Sequence, residues 1–171
     1  MAPVTSLFFG LLLSLHATAH FILQYPPSLG FDDDIEGTAP CGGFPVKFNA
    51  SDADAQVDGF PVSMLSVHPA ADWLFRGTLD QKAPFNWTDL LPVVSETGLG
   101  QFCIPDIKAP TSWSGKQGLV QVIQHGPDGI LYQVCISDPL ICSHSSTTKY
   151  RPQPFHCLHQ LTVFSVPLST L

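Results

Sequence analysis

Leu119-Val-Gln-Val-Ile-Gln124, His125-Gly-Pro-Asp-Gly129 and Ile130-Leu-Tyr-Gln-Val134 follow one another without a break, and their reading decides the fold. Two apolar, β-branched segments flank a group in which Pro127 fixes φ, Asp128 can hydrogen-bond locally and Gly129 can take a left-handed position. That is the chemistry of a β-hairpin. Working outward, Gly59–His68 alternates, with Val62, Met64 and Ser66 on one face and Ser63, Leu65 and Val67 on the other. Trp73–Arg76 and Gln101–Ile104 are short runs bounded by turn residues. With 16 Pro, 13 Gly and only 12% charged residues, the chain has the composition of strands and loops, and it shows no convincing helix and no internal repeat. The expectation is an all-β protein, a β-sandwich with long loops.

The first 19 residues read as a secretory signal. Leu7–Leu15 form an apolar core, and Ala17-Thr18-Ala19 is a small-x-small cleavage pattern. That core is about half the ~20 residues a bilayer span requires. Cleavage leaves roughly 150 residues, enough for one domain with its own core. A net charge of −7 argues against a nucleic-acid partner. Five cysteines and two glycosylation sequons, at Asn49 and Asn86, suit an extracellular glycoprotein with disulfides.

The pattern fails near the C-terminus. Val134–Gln160 holds Cys135, Cys142 and Cys157 together with His144, His156 and His159, and no period of two survives beyond Ile136, although Leu161–Val166 is strand-like again. Residues 134–171 read as an atypical tail, a retained intron or shifted frame in the gene model ahead of a metal-collecting Cys/His tract. Its last residues, Ser165–Leu171, are too short for the hydrophobic tail of a glycolipid-anchor signal.

Cleavage after Ala19 makes His20 the N-terminus. Its α-amine and its imidazole Nδ1 can then close a chelate ring on one ion, and a second histidine completes three nitrogens in a T. Copper(II) favours such tetragonal nitrogen sites and leads the affinity order of divalent ions. His68, placed before Pro69 at the end of a strand, is the candidate second histidine. His125 sits in the hairpin and reads as solvated, and His16 leaves with the signal.

His20-Phe-Ile-Leu-Gln-Tyr-Pro-Pro27, Gly30-Phe-Asp-Asp-Asp-Ile-Glu36, Pro40-Cys-Gly-Gly43 and Gly129-Ile-Leu-Tyr-Gln133, in this order, resemble the fungal LPMO-like copper proteins, the family that includes the copper acquisition factor. The resemblance covers residues 20–133. It implies an immunoglobulin-like β-sandwich with a mononuclear copper site at one edge, in proteins regarded as copper-binding or copper-uptake factors, many of them held at the cell surface by a glycolipid. It carries copper ligation onto His20 and His68. In the family pattern Cys-Ala-Asp follows Leu-Tyr-Gln, and its aspartate completes the site. Here the chain continues Val134-Cys-Ile-Ser-Asp-Pro139, so Asp138 is the nearest equivalent and the expected third ligand, with a spacing that departs from the pattern. The resemblance also makes the cysteine after Tyr-Gln a disulfide partner. Cys41, Cys103 and Cys135 are the candidates, and their pairing stays open.

These readings lead to a secreted or cell-surface copper(II) protein, monomeric, that captures copper and passes it on, with a membrane copper transporter as a recipient. Three nitrogens and a carboxylate saturate the ion and favour its oxidised state, so no enzymatic activity is expected. One alternative is a copper-dependent monooxygenase on cell-wall polysaccharide, which needs an exposed aromatic surface. Of Trp73, Trp87 and Trp113, the last reads as the most exposed. Another alternative is a cell-wall interaction module with a degenerate metal site. Asp32-Asp33-Asp34 with Glu36 either gathers cations or forms a solvated loop. Hydrolase and phosphate-loop motifs are absent.

Overall fold

A computed structural model describes residues 20–46, 48 and 55–140, with side chains as far as Val134. Residues 1–19, read above as a signal, the Asn49 sequon and residues 141–171, with Cys142, Cys157, His144, His156 and His159, lie outside the described residues. Among the described residues the strands are β1 (Phe21–Tyr25), β2 (Phe60–Ser66), β3 (Ala70–Thr78), β4 (Thr88–Asp89), β5 (Val94–Thr97), β6 (Gly100–Ile107), β7 (Lys116–Gly126) and β8 (Gly129–Leu140), with a 3-10 turn at Thr111–Trp113. They form a three-stranded sheet, β1-β2-β6, and a five-stranded sheet, β4-β3-β7-β8 with β5 also on β3, and every pairing is antiparallel.

The alternation read from the sequence is what packs the two sheets together. Val62 and Met64 of β2 face Trp73 and Phe75 of β3 and Val120 and Val122 of β7 in one buried cluster that also takes in Phe21, Leu23 and Ile104. Trp73 is fully buried, edge-on to Phe21 and stacked on Phe102. The protein is therefore the all-β sandwich expected. The hairpin is tighter than its sequence suggested: β7 runs through His125 to Gly126 and β8 starts at Gly129, so the turn is Pro127-Asp128. β8 also runs past Val134, where the pattern was expected to fail, and stays paired with β7 to Leu140, with a register irregularity between Lys116 and Gly118.

Both exposed edges beside the first strand are closed. β8 is an edge strand, and the acidic loop straps onto it: Leu29 N–H donates to Val134 O at 2.8 Å and Tyr132 N–H to Glu36 O at 3.0 Å. Gly42 lets the strap approach. It sits at φ +59°, and a Cβ there would lie 2.4 Å from Tyr132 O. On the other side, Gln133 of β8 replaces a strand partner for β1: its Oε1 accepts from Leu23 N–H at 3.0 Å, and its Nε2 donates to Phe21 O at 2.5 Å.

Candidate metal centre

Antiparallel pairing brings five chain segments to one end of the sandwich. The start of β1, the end of β2, the start of β3, the end of β7 and the start of β8 meet there, through Phe21↔Ser66, Asp72↔His125 and His125↔Ile130. His68 stands in the short link between β2 and β3, only 1% exposed. Its Nε2 lies 2.5 Å from Oδ1 of Asp128, in the β7–β8 turn, and its Nδ1 is buried without a partner. A web behind it holds the link in place. Gln124 Nε2 donates to Ser66 Oγ at 3.1 Å, and Trp73 Nε1 donates to Glu96 Oε2 at 2.8 Å. Burial raises the Glu96 carboxyl above its ordinary range, against the pull of Trp73, Ser66 and the neighbouring His68. Gly126 leaves the room in which the two candidate ligand atoms meet. A Cβ there would stand 2.5 Å from His68 Nε2 and 3.0 Å from Asp128 Oδ1.

His20 joins the same end through its backbone, since Val67 N–H donates to His20 O at 3.2 Å. In this chain its nitrogen is still a peptide nitrogen. Its ring Nε2 lies 3.0 Å from Asp33 O, and the ring is edge-on to the exposed Phe31. Among the described residues no three His, Cys, Asp or Glu side chains converge as a metal site. The imidazole nitrogen of His68 and the carboxylate oxygen of Asp128 are donors that fit copper(II). Beneath the start of β1 lies Glu36, 1% exposed. Gln133 Nε2 donates to its Oε1 at 2.6 Å, and its Oε2 is buried with no partner. Burial pushes this carboxyl up to about 7, against the opposing pull of Gln133, the His20 charge and the Phe21 amide.

The remaining residues singled out from the sequence are spread over the sandwich. Asp138 lies on β8 between Ser137, opposite Gly118, and Leu140, opposite Lys116, which is the far end of the strand from His68. At about 3.3 Å per residue, ten residues place it roughly 30 Å from Asp128 along the strand. The structure therefore brings Asp128, not Asp138, to His68. In the sequence Asp128 registers only as a turn residue; Gly126 beside His125 is the one hint that a side chain packs against the hairpin. His125 is exposed, as read. Cys41 is a free, buried thiol in a small cluster with Leu119 and Val134, and burial pushes it up to about 11; Cys103, in the other sheet, is disulfide-bonded. Cys135 lies on β8 opposite Val120. Asn86 is exposed, and its backbone N–H and Nδ2 both donate to Asp80 Oδ2, at 2.6 and 2.9 Å. Trp113 is not the exposed ring its serine neighbours suggested: it packs over Gly77 against the core. Trp87 is half-buried beneath Arg76, so no described tryptophan is exposed.

The chain is similar to several known proteins. A protein of Aspergillus fumigatus, itself uncharacterised, is 31% identical over 157 residues, 86% of this chain and 62% of its own. A lytic polysaccharide monooxygenase-like protein, X325, of Yarrowia lipolytica is 30% identical over 132 residues, 70% of this chain and 48% of its own. The chain thus spans about half to three-fifths of the length of these curated relatives. The solved structure of ScLPMO10B in complex with zinc aligns at a TM-score of 0.39 and 18% identity, over 61% of this chain and 68% of that one. The family model for "Copper acquisition factor BIM1-like" matches residues 18–158, and the chain belongs to that family.

Proposed function

We propose that this chain is a secreted or cell-surface protein that captures copper(II) and hands it on, with a membrane copper transporter as recipient, and that it works without an enzymatic step. The ligands in this reading are the α-amine and Nδ1 of His20, Nε2 of His68 and the carboxylate of Asp128, which takes the place expected for Asp138. The observation that carries the reading is the meeting of His68 Nε2 and Asp128 Oδ1 at 2.5 Å over Gly126, at the end of the sandwich where β1 begins. Signal cleavage supplies the missing donor by turning a peptide nitrogen into an amine. In this reading Nδ1 of His20 is the ligating atom, and Nε2, 3.0 Å from Asp33 O, is the ring nitrogen left for an outer hydrogen bond.

The carboxylate favours capture over oxygen activation. An anionic ligand stabilises the divalent ion relative to the reduced one, and it fills a position an oxidant would need. Asp32, Asp33 and Asp34 are exposed beside the site and raise the local concentration of cations. A polysaccharide oxygenase is the less favoured reading, because flat sugar chains are bound on exposed aromatic rings and the tryptophans here pack inward or lie half-covered.

The test is copper(II) affinity of the chain beginning at His20, measured in competition with a chromophoric chelator. One extra residue before His20, His68→Ala and Asp128→Asn each lose more than ~100-fold, since even outer partners of a metal site cost 10–100-fold. Asp138→Asn changes nothing. Undiminished affinity in the extended chain or in His68→Ala removes the reading, and a loss confined to Asp138→Asn returns the third ligand to the tail. Ascorbate-dependent oxidised sugars would favour the oxygenase.

A further inference from the structure

Glu36 is an internal acid with one oxygen left over. Its backbone is fixed from both sides, with Glu36 N–H donating to Asp32 O at 3.0 Å and Tyr132 N–H donating to Glu36 O at 3.0 Å. Its Oε1 takes one hydrogen of the Gln133 amide, whose other hydrogen goes to Phe21 O and whose oxygen takes Leu23 N–H. Gln133 is thereby fully used. Oε2 remains buried without a partner, in a side chain 1% exposed, and a buried carboxylate oxygen left unpaired is costly. The Phe21 amide faces this carboxyl, and so does the charge of His20. The nitrogen preceding Phe21 in the chain is that of His20, a peptide nitrogen here and an amine after cleavage.

We propose that Glu36 is the positioning residue of the N-terminal histidine: its free Oε2 accepts a hydrogen of the His20 α-amine once the signal is removed, while Gln133 ties the same strand to β8. This rests on the copper reading above but assigns something it does not contain. A hydrogen bond to a carboxylate orients the amine toward the metal and strengthens it as a donor, as acidic partners do for other metal ligands. It also gives cleavage a second consequence besides exposing a ligand, since it satisfies a buried acceptor that the uncleaved chain leaves empty.

Four proteins test it: the chain beginning at His20 and the same chain with one glycine added in front, each with Glu36 and with Glu36→Gln. Copper(II) alone is the probe, and melting of the metal-free proteins is the second readout. Glu36→Gln is expected to weaken copper binding 10–100-fold in the chain beginning at His20 and to leave the glycine-extended chain within about threefold. Without metal, the chain beginning at His20 melts about 2–4 °C above the extended one, and Glu36→Gln abolishes that gap. Equal affinities in the two His20 chains, or the same loss in both backgrounds, would overturn the assignment, since a purely structural Glu36 acts alike in both. If the extra glycine costs no affinity, the copper role of His20 falls and takes this one with it. If it does cost affinity and Glu36→Gln does not, only the role of Glu36 falls. Should Glu36→Gln fail to fold, Glu36→Met, of similar volume and without the buried charge, takes its place with the same expectations.

Discussion

Gly126→Ala separates the proposed ligand cluster from ordinary packing. Gly126 is not among the glycines at positive φ, so alanine meets no backbone strain there. What the methyl meets is His68, with Nε2 at 2.5 Å and Cδ2 at 2.7 Å, and then Asp128 Oδ1 at 3.0 Å. Non-bonded heavy atoms rest at about 3.5 Å, so Nε2 has to retreat by about 1 Å. His68 is fully packed, and the retreat pushes either on the core or on the hairpin. Overpacking of this kind costs about 1–3 kcal/mol, which in a domain of this size lowers the melting temperature by about 2–12 °C. The effect on copper is larger, because metal–ligand distances tolerate only about 0.2 Å. A 1 Å displacement removes the imidazole from the site, and the expected loss is about 100-fold, or ~2.7 kcal/mol. Gly37→Ala is the control: its Cβ would meet only Ile130 O, at an ordinary 3.7 Å. The assay is a copper(II) competition titration of both variants, with melting recorded alongside and electron paramagnetic resonance to count equatorial nitrogens. A folded Gly126→Ala protein that binds copper within threefold of the parent would refute the assignment of His68 and Asp128 as a shared site.

Two other predictions come from the strap around β8. In the chain with His20 still in peptide linkage, Glu36 keeps its proton up to about 7 when folded but loses it near the ordinary 4.5 when unfolded, so stability falls as pH rises between those values. The groups facing it are His20, which opposes the shift, and Asp33, which adds to it. The span bounds the loss at ~3 kcal/mol, nearer ~2 once solvent screening is allowed for, and urea midpoints between pH 4.5 and 7.5 should record it, with Glu36→Gln flattening the slope. A slope that survives Glu36→Gln assigns the effect elsewhere. Cys41 shares a buried cluster with Val134, the position at which the family pattern places the cysteine after Tyr-Gln. Val134→Cys is expected to close a disulfide with Cys41, seen by non-reducing peptide mapping, and to add about 2–4 kcal/mol of stability. Full alkylation of Cys41 in the unreduced variant would show that the two positions do not meet.

The sandwich was legible because its cause is local. Val62, Met64 and Ser66 alternate in the sequence and point into the core together, and two apolar runs around Pro127-Asp128-Gly129 specify a hairpin whatever else the chain does. Trp113 was not legible. Serines on both sides suggest a solvated loop, but the neighbour that decides its burial is Gly77, 36 residues earlier, whose missing side chain opens a slot for the indole. The continuation of β8 was hidden for a related reason. Beyond Val134 the side chains lose their period, yet the strand already has β7 alongside it, and backbone pairing carries it to Leu140. Glu36 and Gln133 appear in the sequence as parts of motifs, with nothing to say that they touch across 97 residues of chain.

The choice of Asp128 over Asp138 as the proposed carboxylate shows most plainly what spacing cannot supply. An aspartate ending the last strand is the natural reading when a motif ends Cys-Ala-Asp, and Asp138 is its nearest match. A strand, however, carries a side chain away from its starting point at about 3.3 Å per residue, so one strand cannot bring both of its ends to His68. His68 sits where β8 begins, which is the end that holds Asp128. The choice has a consequence for the irregular tail. With Asp138 as the ligand, every departure after Gln133 damages the copper site. With Asp128, the whole ligand set, together with Glu36 and Gln133, precedes Val134, and the tail can depart from the pattern without touching it. The predicted indifference of copper affinity to Asp138→Asn is therefore also a test of whether the domain's chemistry closes at the hairpin.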